Sequence, residues 1–199
     1  MIGACGPKIY TASNFQEAQS THKTLAILPF DVSIDTKRLP KGVTMEMLEQ
    51  EQNDTGYGLQ GDIYTYFLRE IGRDHYTVTF QDINKTNRLL ADAGINYQNI
   101  HTTSMEQLAS ILGVDALVSG KATMAKPMSD GAAVAMGLLI GLWGPTNSVN
   151  TTITVHEGLR GDLVWKYDYE AAGNIARSRQ SVSNALMKNA SKKFPYKKS

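Results

Sequence analysis

Two runs of strict period-two alternation near the C-terminus constrain this chain more than any other feature. Val149, Thr151, Ile153 and Val155 fall on one side of the first run, and Leu163, Trp165, Tyr167 and Tyr169 on one side of the second. Successive side chains of a strand point to opposite faces, so these runs read as half-buried strands rather than helices. The intervening Glu157-Gly158-Leu159-Arg160-Gly161-Asp162 joins them as a hairpin. A hairpin with one apolar face needs a covering layer, and the rest of the chain must supply it.

That layer is visible upstream. Leu59, Ile63, Phe67 and Ile71 recur every four residues with Tyr66 beside them, which paints one apolar stripe on a helix ending near Gly72. Thr24-Leu25-Ala26-Ile27-Leu28 is a nearly unbroken apolar run, as expected of a central strand covered on both faces, and Pro29 marks where its pairing ends. Residues 76–80 alternate as a strand, a short helix over 85–93 stops at Gly94, and Thr103-Ser104-Met105-Glu106 reads as a capping box opening a helix that ends at Gly113. A strand follows over 114–124. The terminal helix turns Ile175, Val182, Leu186 and Ala190 inward. Residues 31–57 are polar and read as an excursion with a short helix around 45–52. The expected fold is α/β: a mixed sheet with a parallel βαβ start, right-handed crossovers and a C-terminal antiparallel meander, with helices packed on the sheet.

Composition narrows the function classes. At 199 residues, 42% hydrophobic and 20% charged, the chain suits one globular domain with extensions. Twenty basic against 19 acidic residues leave a formal charge of +1, which gives no field for nucleic acid or acidic substrates. No apolar run reaches the roughly 18 residues of a membrane-spanning helix.

The single cysteine, Cys5, excludes an internal disulfide framework and a cysteine-rich zinc site. It lies in Ile2-Gly3-Ala4-Cys5-Gly6, the pattern of a lipoprotein processing site at which the cysteine becomes the acylated first residue. A secretory leader needs a basic start and an apolar region, which the four residues before Cys5 do not supply, so the anchor carries the expectation of a leader ahead of Met1. One acyl chain holds a protein marginally, so stable anchoring takes a second chain or another membrane contact. Residues 6–22 show no sustained periodicity and read as a tether. The expected organisation is an anchor cysteine and flexible tether over 1–22, then a single α/β domain over 23–199 with an apolar insert at 129–147.

Three phrases carry a family resemblance: Leu25-Ala26-Ile27-Leu28-Pro29-Phe30, Leu112-Gly113-Val114-Asp115-Ala116-Leu117-Val118-Ser119-Gly120, and Gly161-Asp162-Leu163-Val164-Trp165-Lys166-Tyr167. In this order and spacing, the region from Thr24 to Tyr196 resembles the α/β domain of bacterial envelope lipoproteins related to CsgG, LpoB and the N-terminal domain of TolB. The resemblance implies a non-catalytic protein of the cell envelope, anchored to the outer membrane and facing the periplasm, without a cofactor, whose work is binding protein partners or its own copies.

Two further segments demand a chemical reading. Residues 131–144 carry no charge, and leaving Leu138, Leu139, Ile140, Leu142 and Trp143 in water would forgo about 1.5–3 kcal/mol apiece. They are expected to pack on the core, on a subunit or partner, or in a membrane. The segment is apolar throughout, whereas a barrel hairpin alternates, which disfavours a pore. Gly56-Tyr57-Gly58-Leu59-Gln60-Gly61 matches the dinucleotide-binding pattern, with Asp82 placed for a ribose, and supports the alternative of a soluble nucleotide-binding enzyme. Polar residues 51–55 precede it where a strand belongs, which argues against that alternative.

Other residues suggest less. His22, His75, His101 and His156 lack metal-ligand spacing, no serine sits in a Gly-x-Ser-x-Gly turn, and Asp115, Asp162 and Asp168 read as strand-edge caps. Lys192, Lys193, Lys197 and Lys198 suit a solvated helix end or anionic headgroups. Trp165, Tyr167 and Tyr169 read as core, or as the wall of a groove.

Overall fold

The computed structural model describes residues 8–35, 39, 42–125, 148–172 and 178–198. The strands are β1 (Lys8–Thr11), β2 (Thr24–Ile27), β3 (Asp31–Asp35), β4 (Thr79–Phe80), β5 (Ala116–Ala125), β6 (Ser148–Glu157) and β7 (Leu163–Ala172). The helices are α1 (Phe15–Thr21), α2 (Met45–Ile71), α3 (Ile83–Asp92), α4 (Tyr97–Ile100), α5 (Met105–Leu112) and α6 (Arg179–Lys193). All strands join one mixed sheet in the order β1-β7-β6-β5-β2-β4, with β3 also paired to β5. β2 runs parallel to β4 and β5, whereas β5, β6 and β7 form an antiparallel meander that β1 extends. This is the α/β architecture that the alternation and crossover pattern imply.

β2 and β3 lie end to end along β5, and their junction organises the molecule. Ile27 is in register with Val118 and Asp31 with Lys121, so Leu28, Pro29 and Phe30 face Ser119 and Gly120. One extra residue makes this a β-bulge. Because side chains alternate, a slip of one residue exchanges faces. Before the bulge Leu25 and Ile27 enter the larger core while Ala26 and Leu28 enter the smaller; beyond it Phe30, Val32 and Ile34 enter the larger. Pairing therefore pauses at Pro29 and resumes in β3, rather than ending there.

The bulge leaves backbone groups without ladder partners, and helices satisfy them. The Phe30 N–H donates to the Gly56 carbonyl of α2 at 3.2 Å. The Tyr97 hydroxyl donates to the Phe30 carbonyl at 2.8 Å and accepts the Val32 N–H at 2.9 Å. The Gln60 side chain donates to the Ile27 carbonyl at 2.7 Å. Such closeness needs glycine at two positions. A Cβ on Gly56 would lie 2.5 Å from both the Phe30 oxygen and the Tyr97 ring, and one on Gly120 would lie 2.1 Å from the Phe30 ring.

α2 and α6 cover the larger core, where Trp165, Tyr167, Phe67, Phe194 and Tyr196 are buried. The smaller core, Ala26, Leu28 and Leu117 against Leu90, Ile100, Leu108, Ala109 and Leu112, lies under α3, α4 and α5. Ser104 caps α5 by accepting the Gln107 N–H at 3.2 Å, so the cap falls one residue after the Thr103 at which the sequence phrase begins.

The elements differ from the sequence expectation in three further places. The stretch read as a tether contains β1, paired with β7 from Lys8 to Thr11, and α1, whose Phe15 is buried against the Tyr196 ring. The polar excursion is β3 followed by the first half of α2, a 27-residue helix that also absorbs the expected helix over 59–72. Within the hairpin, a bulge between Val155 and His156 sets Leu163 opposite His156, so Leu163 leaves the stripe that Trp165 and Tyr167 share and Val164 is buried instead. The hairpin turn is held by Glu157, whose carboxylate accepts the Leu159 and Arg160 N–H groups at 2.7 and 2.9 Å.

Removing the Tyr97 hydroxyl in Tyr97→Phe strands the Phe30 carbonyl and the Val32 N–H. The expected loss is about 1–3 kcal/mol for each buried group, read from urea unfolding, with the far-ultraviolet spectrum unchanged.

A candidate binding surface on the open face of the sheet

The helices of the smaller core stop at the bulge, and among the described residues no element covers the rest of that sheet face. Its side chains form a polar lattice set by strand register. Asp31, Lys121, Thr152, Asp168 and Lys8 occupy one rung across β3, β5, β6, β7 and β1. Lys121 Nζ lies 3.2 Å from Asp31, the Thr152 hydroxyl donates to Asp168 at 2.7 Å, and Lys166 Nζ lies 3.2 Å from Asp168. One rung over, Ser119 and Thr154 share a hydrogen bond of 2.7 Å, and Ser33 donates to Thr123 at 3.2 Å. These ion pairs are half exposed and contribute little to stability, about 0–1 kcal/mol each. Their effect is to present a hydrated, charge-alternating surface.

Where helices give way to open sheet, a cleft of about 200 Å³ forms over the bulge. Leu28, Pro29, Ile100 and Met105 make its apolar wall, and Asp31, His101, Ser119, Lys121, Thr152 and Thr154 its polar one. The His101 ring stands edge-on to Tyr97 with centroids 5.2 Å apart, which ties the cleft to the hydroxyl that closes the bulge. Burial lowers the His101 pKa; Asp31 opposes that shift and Lys121 adds to it. Burial likewise pushes the Tyr97 phenol up to about 12, so it keeps its proton. The cleft thus sets an apolar wall against hydroxyls and a half-exposed ion pair. The Ser119 hydroxyl in the cleft is engaged by Thr154.

The remaining sequence candidates separate. Cys5 and the apolar residues Leu138, Leu139, Ile140, Leu142 and Trp143 lie outside the described residues. Gly56 to Gly61 form no phosphate loop: they lie in the middle of α2, where backbone N–H groups are consumed by the helix. Asp82 caps α3, accepting the Asn84 and Lys85 N–H groups, so the nucleotide reading loses both its parts. Asp115 accepts the Lys23 and Thr24 N–H groups at 2.8 Å, and Asp162 pairs with Arg160. Trp165 and Tyr167 are core, while Tyr169 packs at its margin. Among the four lysines, Lys192 and Lys193 occupy the last turn of α6, Lys197 bridges to Tyr76, and Lys198 pairs with Asp74. Among the described residues no group of three His, Cys, Asp or Glu side chains is placed to hold a metal, and no helix is long and apolar enough to cross a membrane.

No protein-family model matches the chain, and no curated protein matches it. Among solved structures it is similar to the lipoprotein GNA1162 from Neisseria meningitidis, with 14% identity, coverage of 85% of this chain and 94% of that one, and a TM-score of 0.49. It is similar to a PelC dodecamer from Paraburkholderia phytofirmans at 14% identity, 91% and 90% coverage and a TM-score of 0.44. It is also similar to the C-terminal domain of LpoB from Salmonella enterica at 10% identity, 76% and 84% coverage and a TM-score of 0.38. Likeness at this level assigns no activity to the chain.

Three histidines, His22 buried, His156 half-buried and His101 exposed at the rim of the cleft, predict an acid-sensitive fold. His22, His101 and His156 each have a pKa held below the ordinary value, with burial the largest cause. Below about pH 6.5 the unfolded chain then binds more protons than the folded one, so stability falls as pH falls. Urea midpoints measured from about pH 7 to about pH 5 should drop, and the double variant His101→Asn, His156→Asn should flatten that decline.

Proposed function

We propose that this protein is a lipid-anchored component of the bacterial cell envelope, fastened at Cys5 to the outer membrane and facing the periplasm, that binds protein partners or its own copies without catalysis. Its α/β domain takes in β1 and α1 as well as residues 23–199, so no more than Gly6 and Pro7 separate the anchor cysteine from the sheet. Three residues of extended chain reach about 10 Å, which holds the domain against the bilayer instead of suspending it. The apolar insert at 129–147 supplies the second contact, with Leu138, Leu139, Ile140, Leu142 and Trp143 meeting the membrane or a partner.

One observation carries this reading. Asp35, Ala125, Ser148 and Ala172 lie in a single rung, so β5 leads into the apolar insert, and β6 leads out of it, at one end of the sheet. β1 runs antiparallel to β7, with Lys8 opposite Asp168 and Thr11 opposite Trp165, so the chain enters β1 from that same end. The flanks of Cys5 and of the apolar insert therefore share one pole. The open polar face and its cleft stand along the side of that pole, where a partner has access.

Natively initiated protein should fractionate with membranes and carry acyl mass on Cys5, and Cys5→Ser should release it to the soluble fraction. Soluble wild-type material with an unmodified Cys5 would end the anchor reading. Replacing Leu139 and Trp143 together with serine should change unfolding free energy by less than about 0.5 kcal/mol, as for exposed positions. A loss of several kcal/mol would assign those side chains to the domain core.

A further inference from the structure

The sheet has two edges, and they are finished differently. β4 is two residues long, with Phe80 buried, and the bridge from Tyr76 to Lys197 continues the pairing beyond it. β1, at the other edge, is exposed at all four positions, and Ile9 and Tyr10 are 43% and 49% accessible. Apart from Lys8 and its four-residue length, β1 lacks the devices that keep an edge from pairing: it has no proline, no bulge and no covering element among the described residues.

The direction of its free hydrogen-bonding groups is set by one bond. Ala12 N–H donates to the Val164 carbonyl at 3.0 Å, continuing the register in which Thr11 faces Trp165. Antiparallel partners alternate between hydrogen-bonded and non-bonded pairs, so Tyr10 and Lys8 also bond inward to β7. Ile9 and Thr11 then turn their N–H and C=O groups outward. Two outward residues flanking Tyr10 make a self-complementary edge: a second copy, antiparallel and centred on Tyr10, sets Ile9 opposite Thr11 on both sides. That register places Lys8 opposite Ala12, so no like charges face each other, and Tyr10 meets its counterpart at the axis.

We propose that β1 is the docking edge for a second copy of this chain, paired antiparallel about Tyr10 so that two sheets become one. This goes beyond the proposed function and is independent of acylation: the twofold reverses strand direction and sets the two poles at opposite ends of the joined sheet, so one copy of the pair faces a given bilayer with its pole and the other does not. The experiment therefore uses the full chain carrying Cys5→Ser, so that its failure leaves the anchor untouched. Sedimentation velocity over about a hundredfold range of concentration should show the mass rise from one chain to two. Ile9→Pro removes an outward N–H while sparing the inward bonds, and should weaken dimerisation at least about tenfold with the melting temperature unchanged. Tyr10→Glu sets two carboxylates together at the axis and should do the same if the proline variant fails to fold. A chain that stays monomeric throughout, or an assembly that both variants leave intact, would overturn the proposal.

Discussion

The β-bulge at Leu28-Pro29-Phe30 is the constraint on which the remaining architecture depends. Proline has no N–H to give β5, and the extra residue turns the carbonyls of Ile27 and Phe30 and the amides of Phe30 and Val32 toward helices. Three elements far apart in sequence must then converge: Gly56 and Gln60 from α2, Tyr97 from α4 and the bare backbone of Gly120 in β5. A buried backbone group without a partner costs about as much as a lost hydrogen bond. The bulge thus fixes where α2 and α4 sit as firmly as apolar contact does.

The same slip decides which surface is left for binding. By exchanging faces it sends Phe30, Val32 and Ile34 into the larger core and turns Asp31 and Ser33 toward the part of the opposite face that no described helix covers. One half of that face is thereby apolar and covered, the other polar and open. The cleft marks the seam.

The sequence made some of this legible and hid the rest for physical reasons. β5, β6 and β7 were readable because ten-residue strands give alternation enough turns to stand out, and α5 because Leu108 and Leu112 lie on one stripe. β1 and β3 are too short for a period to register, and β1 buries no side chain at all. In the first half of α2 the sequence shows helix only around 45–52, because the buried positions there are Leu48, Thr55 and Gly56, in which small and polar residues replace an apolar stripe. Its glycines imitated a phosphate loop, although Gly56 serves close packing. The cleft gathers residues from several separate elements through strand register, which no local pattern encodes. Proline inside an apolar strand phrase, with a glycine on the strand beside it, was the available signal.

Using glycine for contact has a cost that falls on α2. In its central turns, Gly56, Gly58 and Gly61 each cost about 1 kcal/mol relative to alanine, so the segment has little tendency to coil by itself. It becomes a rod once Phe30 and Tyr97 are in place to receive it. Order in this longest helix is therefore borrowed from the sheet, and α2 should lose its protection from amide exchange together with the strands rather than as a separate unit.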